Sequence, residues 1–337
     1  MDKKRLGIIV GAVIIVLCAI CVWFFTASIT GKGNVCLDID EDDNADSVIC
    51  KYDKQTHGSH LQAFKWCVSA FRYSSHVHSG HYEIKRGEGV VSLVRRLRSG
   101  MQNPILVTIP SVRTVDRLAG ELGEKLMLDS VTFVRAFHDS AFCSQYGLDT
   151  ANIVCLFIPN TYEMYWNISL DKFMKRMKKE SDAFWTDMRM RKARSMGLSP
   201  QQVITLASII DEETANDAEK PMIAGMYLNR LHSGMPLQAD PTVKFALRQF
   251  DLKRIYTKLT FTKSPYNTYR NVGLPPGPIR IPSVKGIDAV LDYVHHDYLY
   301  MCAKEDFSGT HNFARTYAEH QQNAHKYTQA LNERGIE

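Results

Sequence analysis

The chain has 337 residues, long enough for two or three domains with a substantial hydrophobic core. Hydrophobic residues make up 45% of it and charged residues 23%, a balance that is typical of globular proteins and excludes a disordered chain. The net charge of +5 is small for this length and argues against a dedicated nucleic-acid-binding protein.

The first predicted element is a membrane-spanning helix over residues 6–29. This segment contains no charged residue and exceeds the ~20 residues that a helix needs to cross a bilayer. Basic residues precede it and an acidic stretch follows at 38–46, so the positive-inside rule keeps residues 1–5 in the cytoplasm. A cleaved signal peptide is the alternative, but the apolar stretch is too long and lacks an A-x-A site. We expect a single-pass protein of the cytoplasmic membrane, with the rest of the chain outside the cytoplasm.

Eight cysteines are spread along the chain without a pattern. Cys18 and Cys21 lie in the predicted span, whereas Cys36 and Cys50 flank the acidic stretch and could form a disulfide outside the cytoplasm. Buried thiols are expected at the four remaining positions, Cys67, Cys143, Cys155 and Cys302.

A metal site is not expected. No CxxC pair with a second half occurs outside the span. His76, His78 and His81 are an alternative set of ligands, but they lie in a polar stretch with no carboxylate or cysteine at ligand spacing.

Residues 30–58 are acidic and lack periodicity, so we interpret them as a spacer. Short strands and amphipathic helices then fill residues 59–128. The predicted order is a helix over 59–73, a strand with a glycine turn over 81–89, a helix over 90–100 that ends at Gly100, a strand over 105–110 and a helix over 114–126.

The segment 169–197 is highly basic. A polyanion-binding helix is one interpretation. We favour a long solvated helix with an apolar stripe of Phe173, Met177, Phe184 and Met188, because basic runs of this kind are commonly exposed faces.

The next segment, 199–213, is predicted to be a helix with Ser199 as N-cap and Pro200 at its first position. A second helix is predicted at about 216–232. Loops and strand-like pieces follow residue 233, and the tail at 314–335 is predicted to be helical.

Three consecutive acids follow an apolar run in LASIIDEET (206–214). On a helix, the apolar residues of this run share one face with Glu213, whereas Asp211 and Glu212 point away. A carboxyl group in apolar surroundings favours its neutral form, and its pKa rises into the range that suits a general acid. The alternatives are a solvated acid cluster, which the helix dipole disfavours, and a metal site, which lacks partners at ligand spacing.

The loop SPYNTYRNVGLPPGP (264–278) is rich in tyrosine, asparagine, glycine and proline. Aromatic rings pack on the apolar face of a sugar, and amides bind its N-acetyl groups and hydroxyls. This composition favours a sugar-binding cleft, with an ordinary proline-rich turn as the alternative.

Five motifs occur in a fixed order: LASIIDEET, GMYLNRL (225–231), GMPLQADPTV (234–243), YNTY (266–269) and GLPPGPI (273–279). Together they resemble the YceG/MltG family of membrane-anchored endolytic murein transglycosylases. The similarity extends to three further stretches: HNFARTYAEHQ (311–321), FIPNTYE (157–163) and GHYEIKRGEGVVSLVRRLRSG (80–100).

The resemblance implies a mixed α+β protein with a LysM-like module at 59–128 and a catalytic domain at 129–337 that acts on nascent peptidoglycan. The family's catalytic glutamate is the second acid of an E-x-E-T pattern, which assigns that role to Glu213. Asp211 replaces the first acid of that pattern, and Glu212 stands where a basic residue is common.

The resemblance also implies partners: the glycan strands, the membrane through the N-terminal helix, and peptidoglycan synthases as neighbours. No cofactor is implied. We expect the glycan to be held by six residues, of which Asn229 and Asp240 also fit a purely structural role: Asn229, Gln238, Asp240, Tyr266, Asn267 and Tyr269.

The implied mechanism is non-hydrolytic. Glu213 protonates the glycosidic oxygen between N-acetylmuramic acid and N-acetylglucosamine, then takes the proton of the muramic C6 hydroxyl as that oxygen closes onto C1. The product carries a 1,6-anhydromuramic end, and such an enzyme would terminate glycan strand elongation. Two alternatives remain: a hydrolytic muramidase with Asp240 as the second carboxylate that hydrolases normally need, and a membrane-anchored, glycan-binding scaffold without activity.

Overall fold

A computed structural model describes residues 3–30, 34–252 and 254–334, without the side chains of residues 3–7 and 21. Residues 1 and 2 of the predicted cytoplasmic segment and the Cys21 side chain therefore lie outside the described part. The chain divides into two compact units. Unit 1 comprises Met1–Val107, Lys125–Leu128 and Tyr162–Ser169, and unit 2 comprises Thr108–Glu124, Asp129–Thr161 and Leu170–Glu337.

Unit 1 opens with helix α1, Lys3–Thr26. Its part Ile8–Thr26 has a mean hydropathy of 3.1 and is long and apolar enough to cross a membrane. The prediction of 6–29 runs past the helix end. Ile29 is 3% exposed and lies in the core of the folded part of the unit, and its backbone N–H donates to Glu88 O at 3.0 Å.

The folded part of unit 1 is a two-stranded antiparallel sheet covered by helices. Strands β1 and β2 pair with Leu37 opposite Tyr82, and buried aliphatic and aromatic side chains fill the core. The elements are β1 (Val35–Ile39), α2 (Ala45–Thr56), α3 (Leu61–Ala70), β2 (Gly80–Ile84) and α4 (Val90–Ser99). As predicted, α4 ends at Gly100, which adopts the left-handed conformation with φ 68°.

The predicted acidic spacer over residues 30–58 is wrong. Most of it forms β1 and α2, and α2 begins with a capping box between Asn44 and Ser47. Asp40 and Asp43 pair with Lys51 at 2.6 and 2.5 Å, so these two charges are balanced within the fold. The acidic composition led to the spacer interpretation, although the stretch contains a short strand and a capped helix.

The sheet of β3 (Pro104–Thr108) and β4 (Thr161–Tyr165) brings together two distant parts of the chain. The strand predicted at 105–110 is confirmed. The LysM-like character of the module over 59–128 stays a prediction.

Unit 2 is mainly helical, and its core is centred on helix α10. Eight consecutive residues of α10, from Val203 to Ile210, are buried, as expected of a helix surrounded by others. Its elements are α5 (Val115–Gly123), α6 (Ser130–His138), α7 (Ser140–Ser144), α8 (Leu170–Phe184), α9 (Asp187–Ser195), α10 (Pro200–Glu213), α11 (Lys220–His232), α12 (Asp240–Leu247), α13 (Val284–Leu291), β5 (Tyr300–Ala303), β6 (His311–Ala314) and α14 (Tyr317–Glu333).

The basic segment 169–197 forms two helices, α8 and α9, instead of one. Thr186 caps the second helix, which breaks the predicted stripe: Phe173 and Met177 are buried, Phe184 is half-buried and Met188 is exposed. Lysines of α8 pair with acids four residues away, as on a solvated helix face.

Two more secondary-structure predictions concern the C-terminal part of the chain. The strand-like assignment after residue 233 is wrong for Asp240–Leu247, which form α12, whereas a strand does form at Tyr300–Ala303. The predicted helical tail is confirmed as α14.

The described cysteines all have free thiols. Cys36 and Cys50 are exposed and unpaired, so the disulfide considered above is absent. The thiols of Cys67, Cys143 and Cys155 are buried as predicted. Cys302 is only half-buried.

The three histidines considered as metal ligands do not act together. His81 lies opposite Asp38 across the β1–β2 pair, with 2.6 Å between Nδ1 and Oδ1. Strand pairing thus supplies a carboxylate that sequence spacing did not reveal. His76 instead contacts its neighbour Ser75. Within the described ranges, no group of three or more His, Cys, Asp or Glu residues is placed to hold a metal ion.

Candidate active site

Glu213 is the last residue of α10, where the helix leaves the core. The helix begins as predicted, with Ser199 as N-cap and Pro200 in the first turn, and Gln202 completes a capping box. The GLPPGPI motif packs along the same helix, because the amide of Ile279 donates to the Ser208 hydroxyl at 3.0 Å. These contacts fix the position of the helix end that carries Glu213.

The three consecutive acids take three separate partners. Asp211 pairs with Lys220 at 2.8 Å and accepts from the backbone amide of Ser283 at 2.6 Å. Glu212 accepts two bonds from Arg113, at 2.8 and 2.9 Å. The side chains of Asp211 and Glu212 are only 4% and 11% exposed, so the solvated acid cluster is wrong.

Glu213 accepts a hydrogen bond from the Tyr227 hydroxyl, with 2.6 Å between the two oxygens. Burial raises the pKa of Glu213 to about 7, against the lowering effect of this bond. The negative charge of Asp240 adds to the rise, while His311 and Lys244 oppose it. Tyr227 remains a proton donor, because burial, together with the Glu213 charge, raises its pKa well above the usual value.

Glu213 opens into a pocket of about 230 Å³. Its walls come from the ends of α10 and α12, one face of α11, the loop before α12 and the β5–β6 hairpin. The lining residues are Glu213, Met226, Tyr227, Arg230, Leu237, Gln238, Asp240, Tyr269, Met301, Cys302, Ala303 and His311. Carboxyl, phenol, guanidinium, amide and imidazole groups therefore converge on one concave surface.

Three of the six predicted glycan-binding residues line this pocket. The Tyr269 hydroxyl donates to Asp240 Oδ1 at 2.6 Å, which fixes both side chains. Gln238 is exposed and adopts a left-handed backbone conformation with φ 52°. Its backbone N–H donates a hydrogen bond to Thr268 O, which holds this conformation. Strained residues of this kind cluster at functional sites.

The other three predicted residues lie outside the pocket lining. The Asn229 amide donates to the carbonyls of His296 and Tyr298, so its role is to hold a loop. Asn267 is fully buried and its side-chain amide donates to backbone carbonyls, and the half-buried Tyr266 packs against Phe245 beside the core. The YNTY motif thus contributes only Tyr269 to the pocket.

Sequence reasoning missed three polar residues of the pocket. Tyr227 and Arg230 lie on the helix predicted at about 216–232, and the structure buries both side chains. His311 lies in the HNFARTYAEHQ motif, which was noted for its similarity alone. Its imidazole contacts the buried carboxylate of Glu219 at 2.9 Å. No spacing rule links these positions to Glu213, because they meet through tertiary packing.

Arg230 serves the pocket as a structural clamp. Its guanidinium donates to the carbonyls of Leu299 and Leu237, at 2.6 and 2.7 Å, and so ties the β5 side of the pocket to the loop before α12. Burial lowers the pKa of Arg230, and this effect outweighs the surrounding tyrosines and Glu213.

Comparison with known proteins agrees with the resemblance seen in the motifs. The sequence profile described as the YceG-like family matches residues 37–326, which is most of the chain. The chain belongs to the YceG-like family.

Curated relatives of this YceG-like protein carry the name endolytic murein transglycosylase. One from Bacillus subtilis is 27% identical over 289 residues, covering 81% of this chain and 79% of the relative. Another from Streptococcus pneumoniae is 24% identical and covers 87% of this chain. The match spans only 58% of the streptococcal relative's length.

A solved structure supports the fold of this YceG-like protein. The crystal structure of a YceG-like protein from Listeria monocytogenes superposes with a TM-score of 0.55 at 24% sequence identity. The superposition covers 87% of this chain and 99% of the other. The mixed α+β fold is therefore shared with that protein.

Proposed function

We propose that this YceG-like protein is a lytic murein transglycosylase that cuts peptidoglycan glycan strands with Glu213 as its catalytic acid. One observation carries the proposal: a carboxyl group with a pKa of about 7 lies in a polar pocket, hydrogen-bonded by Tyr227. An acid with this pKa is partly protonated at neutral pH and can still give up its proton. The names of the curated relatives support the substrate class.

In the proposed reaction, Glu213 donates its proton to the glycosidic oxygen between N-acetylmuramic acid and N-acetylglucosamine. The C1–oxygen bond breaks, and positive charge develops at C1. The muramic C6 oxygen then bonds to C1, and its proton passes to the Glu213 carboxylate, which restores the acid. No water is consumed, and the strand ends in 1,6-anhydromuramic acid.

The remaining pocket residues fit supporting roles in this reaction. Gln238 presents an exposed amide, which suits an N-acetyl group or a sugar hydroxyl. Asp240 and Tyr269 hold one another in a fixed geometry and offer further polar contacts. We include these three residues in the proposed glycan-binding site and leave out Asn229, Tyr266 and Asn267.

The N-terminal helix supports a location at a membrane. We propose that α1 anchors the protein in the cytoplasmic membrane, with its N-terminus inside and both folded units outside the cytoplasm. The basic residues before the apolar part of the helix support this orientation. An enzyme held there would meet newly made strands beside the peptidoglycan synthases, and its cuts would terminate strand elongation. Unit 1 would supply the LysM-like module.

The test is digestion of purified peptidoglycan by the full chain and by Glu213→Gln. The native chain should release fragments with anhydro ends. The variant should lose at least about a hundredfold of this activity, since general acid catalysis contributes 10²–10⁴-fold. Circular dichroism and thermal unfolding check that the variant is folded. Unchanged release of anhydro fragments by a folded variant would refute the role of Glu213.

A hydrolytic muramidase is the second candidate, because Asp240 lines the same pocket and is held by Tyr269. Mass spectrometry separates the two reactions, since a hydrolytic product is heavier by one water. A silent glycan-binding scaffold would instead bind peptidoglycan at full affinity and release nothing.

A further inference from the structure

The end of α1 is attached directly to the folded part of unit 1. Ser28 pairs with Gly89, and the amide of Ile29 donates to Glu88 O at 3.0 Å. The Ile29 side chain is buried in the core of the unit. The apolar helix is therefore held against the folded part within a few residues of its end, and whatever surrounds that end also meets the unit.

An exposed tryptophan of the unit lies beside the helix end. Trp66 of α3 is 57% exposed, and its ring is 6.4 Å from Phe24 and 6.3 Å from Phe25. Trp23, one residue earlier on α1, is 65% exposed and 6.2 Å from His60. Tryptophan is enriched where a membrane meets water, because its ring is largely apolar and its N–H bonds to polar groups.

Helix α4 contributes a basic and hydroxyl-bearing surface at the same end. A pocket of about 420 Å³ is lined by Phe25 and Thr26 of α1 together with residues of α4 and its flanks: Gly89, Val91, Ser92, Arg95, Arg96, Ser99 and Met101. Arg95 is exposed and lies over the Phe71 ring at 5.5 Å. Guanidinium and hydroxyl groups bind phosphate oxygens, and Phe25 and Met101 offer apolar surface beside them.

The length of the apolar segment sets the height of this surface. Ile8–Thr26 spans 19 residues, or about 28 Å at 1.5 Å per residue. The hydrocarbon core of a bilayer is about 30 Å thick. If Ile8 lies at one boundary of that core, then Trp23–Thr26 lie at the other, where lipid headgroups begin.

We propose that Trp23, Phe24, Phe25, Trp66 and Arg95, here called the interfacial collar, sit in the phospholipid headgroup layer. The partner is a lipid surface, with Arg95 contacting lipid phosphate. Unit 1 then lies against the membrane at a fixed height and does not move freely on a tether. This inference rests on the proposed membrane anchor but not on the proposed enzymatic activity.

Fluorescence quenching tests the collar. The full chain and Trp66→Phe are reconstituted into vesicles of phosphatidylethanolamine and phosphatidylglycerol that carry brominated acyl chains. The difference between their emissions isolates Trp66. We expect bromine near the headgroup to quench this signal more than bromine at the bilayer centre, and iodide in the water to quench it weakly.

The outcomes separate the collar from the anchor. Protein that floats with the vesicles while Trp66 is quenched by iodide and not by brominated lipid would overturn the collar and leave the anchor intact. Protein that stays out of the vesicle fraction would overturn both.

The role of Arg95 has its own matched control. Arg98 lies on the same helix, is also exposed and does not line the pocket. Arg95→Gln should weaken the lipid quenching of Trp66 in vesicles that contain phosphatidylglycerol, whereas Arg98→Gln should leave it unchanged. Equal effects of the two changes would contradict a specific phosphate contact by Arg95. They would indicate a general electrostatic attraction between the basic helix and the lipid.

Discussion

At the scale of single residues, Glu213 differs from its two acidic neighbours in its partner. Asp211 and Glu212 form ion pairs with Lys220 and Arg113, whereas Glu213 faces a phenol inside a protein-lined pocket. Burial therefore dominates for Glu213 and raises its pKa to about 7. The same three-residue run supplies both structural ion pairs and a titratable acid.

The raised pKa predicts how activity depends on pH. Glu213 must be protonated to act as an acid, so peptidoglycan cleavage should fall as the pH rises through about 7. The measurement is the rate of anhydro-fragment release from pH 5 to 9. A rate that keeps rising above pH 8 would contradict an acid role for this carboxyl group.

The same pKa predicts a pH-dependent stability. The folded chain holds this proton up to about pH 7, whereas an unfolded chain releases it near 4.5, so raising the pH across this window destabilises the fold. Glu213→Gln has no such proton. Its stability relative to the native chain should therefore grow by roughly 3 kcal/mol between pH 4.5 and 8. Urea unfolding at both pH values checks this, and a constant difference would contradict it.

The hydrogen bond from Tyr227 should lower the pKa of Glu213. The tyrosine hydroxyl stabilises the charged carboxylate, so Tyr227→Phe should raise the Glu213 pKa and move the alkaline limb of the activity profile upward by about one pH unit. Tyr266→Phe is the control, because that half-buried ring packs against the core and does not line the pocket. A limb that does not move, or moves equally in the control, would speak against this contact.

At the scale of elements, the end of α10 is fixed by its neighbours α11 and α13. Asp211 reaches Lys220 at the start of α11 and Ser283, the N-cap of α13. Close approach also matters on α11: a Cβ added at Gly225 would lie 2.3 Å from the backbone oxygen of Val294, so only glycine fits there. These contacts place Tyr227 opposite Glu213.

The buried ion pair of Asp211 and Lys220 should stabilise the fold. Asp211→Ala leaves the buried ammonium of Lys220 with less compensation and should lower the free energy of unfolding by about 3–5 kcal/mol. The exposed pair of Arg117 and Glu121 is the control, and Glu121→Ala should cost less than about 1 kcal/mol. Chemical unfolding measures both. Similar losses in the two variants would argue that the buried pair is not special.

Helices were easier to predict than their surroundings. The start of α10 follows from its N-cap and its proline, which are local signals. The spacer at 30–58 was misinterpreted because acidic composition outweighed a capping box and the regular spacing of Val48, Tyr52 and Thr56. Asp240–Leu247 was missed as a helix because it is short and follows a loop.

At the scale of the whole molecule, the chain passes more than once between the two units. The predicted catalytic domain, 129–337, omits Thr108–Glu124, which belong to unit 2. That segment supplies Arg113 to Glu212, and Ser111, whose backbone oxygen accepts from Arg280 at 3.1 Å. A boundary drawn from sequence therefore separates partners that lie within one unit.

This arrangement predicts which truncated chain is stable. Residues 108–337 should unfold at a higher temperature than residues 129–337, in which Glu212 loses Arg113 and Arg280 loses Ser111. Differential scanning fluorimetry and limited proteolysis compare the two. Equal melting temperatures would mean that Thr108–Glu124 contribute little to unit 2.

The sequence by itself determined the apolar helix, the start of α10 with its cap and the family, because these depend on neighbouring residues or on ordered motifs. Tertiary structure alone decided which side chains share the pocket with Glu213. Asn229 and Asn267 are used to hold loops, whereas Tyr227, Arg230 and His311 reach the pocket from other elements. The physical reason is that composition shows which groups can bind a sugar, while long-range packing determines whether their hydrogen bonds are already used inside the fold.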